Sequence, residues 1–262
     1  MMIYRLLFCF CLCILTGCSE KDIVTQALTY DEQGNYEKAI TYWSKAIDMN
    51  PHDARYYINR GADKHELEDY TGAIEDCNMA LQIDSSLMYG YISRAGNKYA
   101  LKDYEGALKD YNTALNIYLF RTKKSRITLP SGTAIFPLKN PAITNDDLME
   151  EPQYQITQIL IDRGQAYYQL DSLNLALNDF TACIEGKFCL SFCFYWRACI
   201  YYKMGNINKA YDDLKQVLLY EDKNSEMAKH VQEVLDKGIH VLNTFNVFRS
   251  VEQPKTIRNI QT

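Results

Sequence analysis

The sequence predicts an all-α fold built from repeated helical hairpins, and three observations lead to this prediction. A 34-residue period runs along the chain, as Tyr70 and Tyr104 illustrate. Small residues return at fixed places in every period, and apolar residues recur at spacings of three, four and seven. Such spacings are typical of amphipathic helices, and a period of this length is typical of a solenoid. We therefore expect about five helix pairs followed by a C-terminal capping helix.

The first 17 residues have the composition of an export signal. Arg5 precedes a short apolar run that ends at Leu15-Thr16-Gly17-Cys18, and polar residues follow from Ser19. The run is shorter than the roughly 20 apolar residues that span a bilayer. A charged start, a short apolar core and small residues at its end are typical of a signal peptide, predicted here over residues 1–17.

The quartet that ends at Cys18 resembles the lipobox of bacterial lipoproteins. This resemblance implies that Cys18 is lipidated, becomes the first mature residue and anchors the chain to a membrane of the cell envelope. Ser19 at the next position is similar to lipoproteins sent to an outer membrane. The alternatives are a signal peptide that happens to contain cysteines and a buried helix.

Five units fit a 34-residue register numbered from Glu20. They span residues 20–53, 54–87, 88–121, 157–190 and 191–224. Register positions 8 and 20 are small in every unit, so two helices should approach closely there. These residues are Ala27, Gly61, Ala95, Gly164 and Ala198 at position 8, and Ala39, Ala73, Ala107, Ala176 and Ala210 at position 20.

This pattern resembles the tetratricopeptide repeat over about 170 of the 262 residues. The resemblance implies antiparallel helix pairs stacked into a right-handed superhelix, an α-solenoid with a concave groove. The family's proline near position 32 occurs only as Pro51, which is a departure in the other four units.

Arginine and aspartate occur together at positions 7 and 23 of the last four units. A guanidinium beside a packed face needs a partner to offset its desolvation, and a carboxylate on the adjacent helix can accept its two parallel hydrogen bonds. We therefore predict a structural ion pair within each unit, with a pair between neighbouring units as the alternative. The residues are Arg60 and Asp76, Arg94 and Asp110, Arg163 and Asp179, and Arg197 and Asp213.

Two segments interrupt or follow the units. Residues 122–156 contain Pro130, Pro137 and Pro141, which exclude a hidden helical repeat. We expect an inserted loop or hairpin there, either a partner contact or a neutral loop. Residues 225–250 have helical apolar spacing and should cap the last unit. Residues 251–262 are predicted to be a flexible tail.

Once the signal and the lipidated Cys18 are set aside, five cysteines remain. Cys77 and Cys183 fall at core positions, whereas Cys189, Cys193 and Cys199 form a cluster without C-x-x-C spacing. Packing as small apolar groups, a disulfide within the cluster and a metal site are the three alternatives. We predict no metal.

A groove on the first helices is the predicted binding surface. The net charge of -5 lacks the basic density that nucleic-acid binding requires, and no catalytic motif or cofactor fingerprint occurs. No small-molecule substrate, cofactor or enzyme activity is therefore predicted. The groove residues are Arg55, Ile58, His65, Tyr89, Ile92, Tyr99, Ile161, Tyr168, Phe192, Tyr195 and Tyr202.

These features together predict a membrane-anchored scaffold or assembly factor of the cell envelope that binds protein or peptide partners in its groove. Tyrosine is an efficient binding residue, and several groove positions carry it. The alternatives are a self-associating structural envelope protein and an enzyme with a site in the insert or in the cluster from Cys189 to Cys199.

Overall fold

The computed structural model describes residues 19–121 and 152–244. The signal peptide, Cys18, most of the insert and the C-terminal tail lie outside these ranges, so the predictions for them stay predictions. Within the described ranges every regular element is helical. The elements are α1 (Glu20–Glu32), α2 (Tyr36–Met49), α3 (Ala54–Glu66), α4 (Tyr70–Ile83), α5 (Met88–Ala100), α6 (Tyr104–Arg121), α7 (Pro152–Gln169), α8 (Leu173–Glu185), α9 (Leu190–Lys203), α10 (Ile207–Tyr220), α11 (Glu226–Lys237) and a 3₁₀ helix (Ile239–Thr244).

The all-α prediction is confirmed. Each predicted unit corresponds to two consecutive helices, from the pair α1 and α2 to the pair α9 and α10. The described residues of α7 begin at Pro152, five residues before the predicted start of the fourth unit. Proline is well accommodated at the first position of a helix, since the first amides have no partner inside the helix.

The described helices fall into two compact bodies, divided after Ser93 within α5. The N-terminal body contains α1 to α4 and the first turns of α5. Its core surrounds Trp43, which is 2% exposed and packs beside Tyr56 with ring centroids 5.9 Å apart. The small residues Ala27 and Ala39 are completely buried between α1 and α2, as their register positions predict.

The C-terminal body starts at Arg94 and contains the remaining helices. Gly164 lies where α7 and α8 cross, and a Cβ atom added to it would be 2.9 Å from the ring of Phe180. Real Cβ atoms do not approach a ring this closely, so the crossing requires glycine at this position. Phe180 itself is fully buried and stacks against Trp196 at 5.8 Å.

The turn inside each helix pair has the same backbone shape. Its second residue adopts a left-handed conformation, with φ of 71° at Gly34, 64° at Lys102 and 78° at Gly205. The next residue is the N-cap of the second helix, and at this position Asp69 accepts a hydrogen bond from the amide of Gly72 at 3.0 Å. This is an N-cap, which satisfies an amide that the helix itself leaves unpaired.

The chain enters the array through a rigid contact. Ser19 and Asp22 form a capping box, with Ser19 Oγ accepting from the Asp22 amide at 3.2 Å. Glu20 Oε1 then accepts from the Tyr56 hydroxyl at 2.6 Å and from Asn50 Nδ2 at 3.2 Å. The first turn of α1 is therefore fixed to the second unit.

The C-terminal elements cover the last helix pair. α11 ends at Gly238, where φ is 104°, and the 3₁₀ helix follows. The Tyr195 hydroxyl on α9 donates to the Leu242 carbonyl at 3.5 Å, and the Ile239 amide donates to the Tyr211 hydroxyl at 3.1 Å. Leu242 is 1% exposed, so this segment is part of the core.

All four arginine–aspartate pairs are formed within their own units. The Nη2 atoms of Arg60, Arg94 and Arg163 lie 2.6, 2.6 and 2.7 Å from their carboxylates. In the fourth pair Arg197 donates to Asp213 through both Nε and Nη2. The first unit lacks the pair, and Tyr30 stacks on Tyr42 in its place at 5.3 Å.

The third guanidinium nitrogen of three arginines extends the contact to the preceding unit. Nη1 of Arg60, Arg163 and Arg197 donates to Ser44, Asn112 and Thr181 at 3.1, 2.8 and 3.5 Å. These acceptors share register position 25. One guanidinium therefore joins three helices, two of its own unit and one of the unit before.

Two of the carboxylates have a second cation. Lys64 lies 2.9 Å from Asp76, and Lys98 lies 2.7 Å from Asp110. Burial opposes ionisation of Asp110, but hydrogen bonds from Arg94 and Lys98 outweigh it and hold the pKa of Asp110 below its ordinary value. Among the described residues Asp179 is paired with Arg163 alone, and burial raises the pKa of Asp179.

The ion pair at Arg197 gives a direct test of its role. Arg197→Met should destabilise the protein by about 3 kcal/mol, because it leaves the Asp213 carboxylate buried without a cation. Adding Asp213→Leu should recover most of that loss. Arg94→Met should cost less, since Lys98 remains beside Asp110. Urea unfolding of these variants in a double-mutant cycle provides the measurement, and additive losses at Arg197 and Asp213 would contradict the pairing.

Candidate partner-binding surface

The predicted groove residues divide into buried and accessible groups. Five of them are at most 9% exposed and cannot present a binding surface in this structure, which corrects the prediction. They are Ile58, Ile92, Ile161, Phe192 and Tyr195.

The burial of the position 5 residues has a physical cause. Ile58 packs toward the first helix of the next unit. A Cβ atom added to Gly90 on that helix would lie 3.6 Å from Cδ1 of Ile58. The first helices of neighbouring units therefore approach closely enough to enclose a side chain at this position. Tyr195 is enclosed differently, because the 3₁₀ helix covers it through the bond to Leu242.

In the N-terminal body the accessible groove residues are Arg55, His65 and Tyr89, all partly exposed. Arg55 is held by a carboxylate of its own chain, with Nε and Nη2 bonded to Asp53 at 3.0 and 2.6 Å. His65 contacts Tyr70 edge to face at 5.2 Å. The guanidinium of Arg55 is thus bonded to the N-cap residue of α3 and stabilises the start of that helix.

In the C-terminal body Tyr99, Tyr168 and Tyr202 occupy the same register position on α5, α7 and α9, and all three are partly exposed. Tyr99 contacts Tyr104 edge to face at 5.2 Å and accepts a 3.5 Å hydrogen bond from Gln169 Nε2. Burial raises the pKa of its hydroxyl. These three rings form what we call the tyrosine ladder.

Tyr168 is the most firmly supported ring of the ladder. It contacts Trp196 edge to face at 5.3 Å, and Lys203 Nζ lies 4.6 Å from its ring centroid. Burial raises the pKa of Tyr168 to about 12, so the hydroxyl is neutral and can donate a hydrogen bond at physiological pH. A lysine above an aromatic face is a cation–π contact.

Sequence reasoning missed Asp162, a partly exposed acid on α7. Its Oδ1 atom accepts a hydrogen bond from Gln158 Nε2 at 2.8 Å, and burial raises its pKa to about 7. The sequence contains a signal for it, because Asp162 is the only acid at register position 6 among the five units. The adjacent Arg163 obscures that signal, since the two residues together resemble an ordinary charged pair.

The lysines at position 11 were also missed. Lys64 and Lys98 each precede their aspartate by 12 residues, whereas the last two units have Tyr167 and Tyr201 at that position. Both tyrosines lie beside the guanidinium of their own unit, at 5.7 and 5.9 Å. The partner at position 11 therefore varies between a second cation and an aromatic face.

The cysteines of the described residues are all free thiols. Cys77, Cys183, Cys193 and Cys199 are buried, and Cys189 is exposed. Cys193 Sγ donates to the Phe188 carbonyl at 3.6 Å. Among the described residues no group of three or more histidines, cysteines or acids is arranged to hold a metal ion.

Comparison with known proteins agrees with this architecture. Two sequence models of the tetratricopeptide repeat match residues 24–87 and 192–221, which correspond to the first two units and the last unit. The chain therefore contains tetratricopeptide repeats, and repeats of this class generally mediate protein–protein interactions.

Curated relatives share the repeats over a short stretch. The chain is 35% identical over 78 residues to DnaJ homolog subfamily C member 7 of Mus musculus, and 36% identical over 70 residues to serine/threonine-protein phosphatase 5 of Homo sapiens. Each match covers 27% of this chain but only 16% and 14% of those proteins.

Solved structures extend the likeness to most of the chain. The MamA protein has a TM-score of 0.58 at 12% identity, covering 79% of this chain and 94% of its own. A thermophilic TPR protein of Thermus thermophilus has a TM-score of 0.54 at 15% identity, covering 83% and 99%. At these identities the likeness shows the fold alone, which is that of a tetratricopeptide-repeat protein.

Among the described helices, none is both long enough and apolar enough to cross a membrane.

Proposed function

We propose that this chain is a lipid-anchored scaffold or assembly factor of the bacterial cell envelope that binds protein or peptide partners. The tetratricopeptide repeats support the binding part of this proposal. The quartet from Leu15 to Cys18 supports the anchor, and its position before a rigid first helix supports a location at the membrane surface.

The tyrosine ladder is the observation that carries the binding proposal. Three large rings stay partly exposed on first helices whose apolar position 5 residues are buried. A tyrosine supplies a large contact area and a hydrogen-bonding hydroxyl, and only two side-chain torsions must be ordered when it binds. An extended segment along α5, α7 and α9 can place apolar side chains against these rings.

The anchor proposal rests on how the chain begins. Ser19 caps α1 immediately after Cys18, and Glu20 is bonded to Tyr56 and Asn50. An acyl group on Cys18 would therefore be separated from the first helix by no flexible linker. The repeats would stand directly on the lipid surface, so partners at that surface would be the ones they meet.

Tyr202 gives the cleanest test of the ladder, because no ring contact or hydrogen bond within the described residues holds its side chain. Partners are first identified by crosslinking to the intact protein. Tyr202→Ala should weaken the affinity for these partners by about 5- to 150-fold, equivalent to about 1–3 kcal/mol. Its melting temperature should fall much less than that of Phe180→Ala, a core change that should cost about 3–5 kcal/mol.

The matched control is Tyr201→Ala on the same helix, where the ring lies beside Arg197 and Lys209. This variant should lose some stability and keep its partners. If Tyr202→Ala melts at as low a temperature as Phe180→Ala, or still binds its partners in full, the tyrosines of the ladder serve only in packing. The assignment of the binding site is then wrong.

The anchor can be tested at Cys18. Cys18→Ala should leave the chain unprocessed or release it from the membrane, because the thiol that carries the lipid is missing. Cys13→Ala is the control, since this cysteine lies within the apolar run and should be dispensable. Membrane fractionation with intact-mass measurement distinguishes them. Normal mature mass and membrane association of Cys18→Ala would refute the lipidation.

A further inference from the structure

The tyrosine ladder repeats at the distance between neighbouring first helices. Tyr99 on α5 accepts a hydrogen bond from Gln169 Nε2 on α7 at 3.5 Å. The ring of Tyr168 on α7 has Lys203 Nζ of α9 at 4.6 Å from its centroid. In both contacts a position 12 ring touches position 13 of the next unit, so these first helices are neighbours. Neighbouring helix axes lie roughly 8–10 Å apart, and the rings should share that spacing.

Each ring of the ladder is followed two residues later by an exposed apolar side chain. Leu101, Leu170 and Met204 share register position 14, and they are 49%, 37% and 37% exposed. Exposed apolar side chains that form a row are typical of a surface that binds a partner. The surface therefore presents one tyrosine ring and one apolar side chain in each unit of the C-terminal body.

This repeat distance selects one extended conformation for the partner segment. Polyproline II has three residues per turn and advances about 3.1 Å per residue, so a side chain returns to the same side after about 9.3 Å. In a β-strand a side chain returns to the same face every second residue, after about 6.7 Å. The polyproline II distance is the one that matches the spacing of the first helices.

The polar groups of the surface suit a partner that offers hydrogen-bond acceptors. The Tyr99 oxygen accepts from Gln169, so its hydroxyl can still donate its hydrogen. Lys203 is bonded to Asp171 at 2.8 Å, and an ammonium has three donors. A proline has a backbone carbonyl but no N–H, and polyproline II has no internal hydrogen bonds. The surface and such a segment are therefore electrostatically complementary.

We propose that the tyrosine ladder binds a proline-rich segment in the polyproline II conformation, with a proline facing a ring at every third residue. This inference rests on the proposed function and names the chemistry of its partner. A polyproline II segment is already ordered before it binds, and grooves lined with aromatic side chains exploit this low entropic cost. Each ring packs against one proline, and its hydroxyl donates to a neighbouring backbone carbonyl.

The first experiment tests the conformation of the partner with the full chain in detergent and fluorescent nonaproline. Nonaproline made of D-residues is the matched control, because it has the same composition and forms the helix of opposite hand. Fluorescence polarisation should show that the L-peptide binds at least about tenfold more tightly than the D-peptide, since only one hand fits the ladder.

The second experiment tests the period of three with two peptides of identical composition. One repeats Pro-Gln-Gln three times, and the other has its prolines at every second position followed by the remaining glutamines. The peptide with prolines at every third position should bind at least about fivefold more tightly, because it alone places a proline at each ring.

Variants of Tyr168 connect this binding to the ladder. Tyr168→Ala should weaken the binding of L-nonaproline by about tenfold, since an aromatic anchor is lost. Tyr168→Phe keeps the ring and the packing against Trp196, so it should fold normally and show a smaller loss that reports the hydroxyl. Tyr220→Ala is the matched control, because Tyr220 is 54% exposed at the end of α10 and lies outside the ladder.

The outcomes separate this inference from the proposed function. Equal binding of the two enantiomers, equal binding of the two glutamine peptides, or no binding of L-nonaproline at about 1 mM would overturn the inference. Unchanged binding by both Tyr168 variants would overturn it as well. If any of these results occurs while crosslinked partners still depend on Tyr202, the proposed function stands. If those partners are indifferent to Tyr202→Ala, the proposed binding site fails.

Discussion

The arrangement of the repeats depends on an arginine that links three helices, its own helix and the two to which its guanidinium is hydrogen-bonded. Arg163 binds Asp179 on the second helix of its own unit and Asn112 on the second helix of the unit before. The small residues around the helix crossings let the helices approach, but apolar contact alone leaves helices able to slide. The fork geometry of arginine specifies one relative position, because both of its edges must meet an acceptor.

This constraint determines which first-helix residues remain accessible. Because neighbouring units are held close, the side chain at position 5 is enclosed, and Ile58 is 1% exposed. The side chain at position 12 lies nearer the end of the helix and stays partly exposed, as Tyr202 does. Asp162 stays partly exposed beside Arg163, whose guanidinium is bonded to Asp179 and Asn112.

Much of the fold could be predicted from the sequence because the period and the helical spacing are local properties. The pairing of Arg60 with Asp76 was predictable too, since both residues are present or absent together in each unit. The groove was less predictable. Periodicity assigns a side chain to a face of its helix but does not say what covers that face, and Tyr195 is covered by residues 47 positions later. Likewise, the sequence does not show that Arg163 binds Asp179 rather than the adjacent Asp162.

The most direct measurement is photocrosslinking in intact cells with a benzoylphenylalanine residue placed in turn at two tyrosine positions. Tyr202 lies on the ladder, whereas Tyr220 is 54% exposed at the end of α10 and outside the predicted groove. A partner that lies along the first helices should crosslink at position 202 and not at position 220. Crosslinks at position 220 with none at position 202 would show that partners use another face, and would contradict the account.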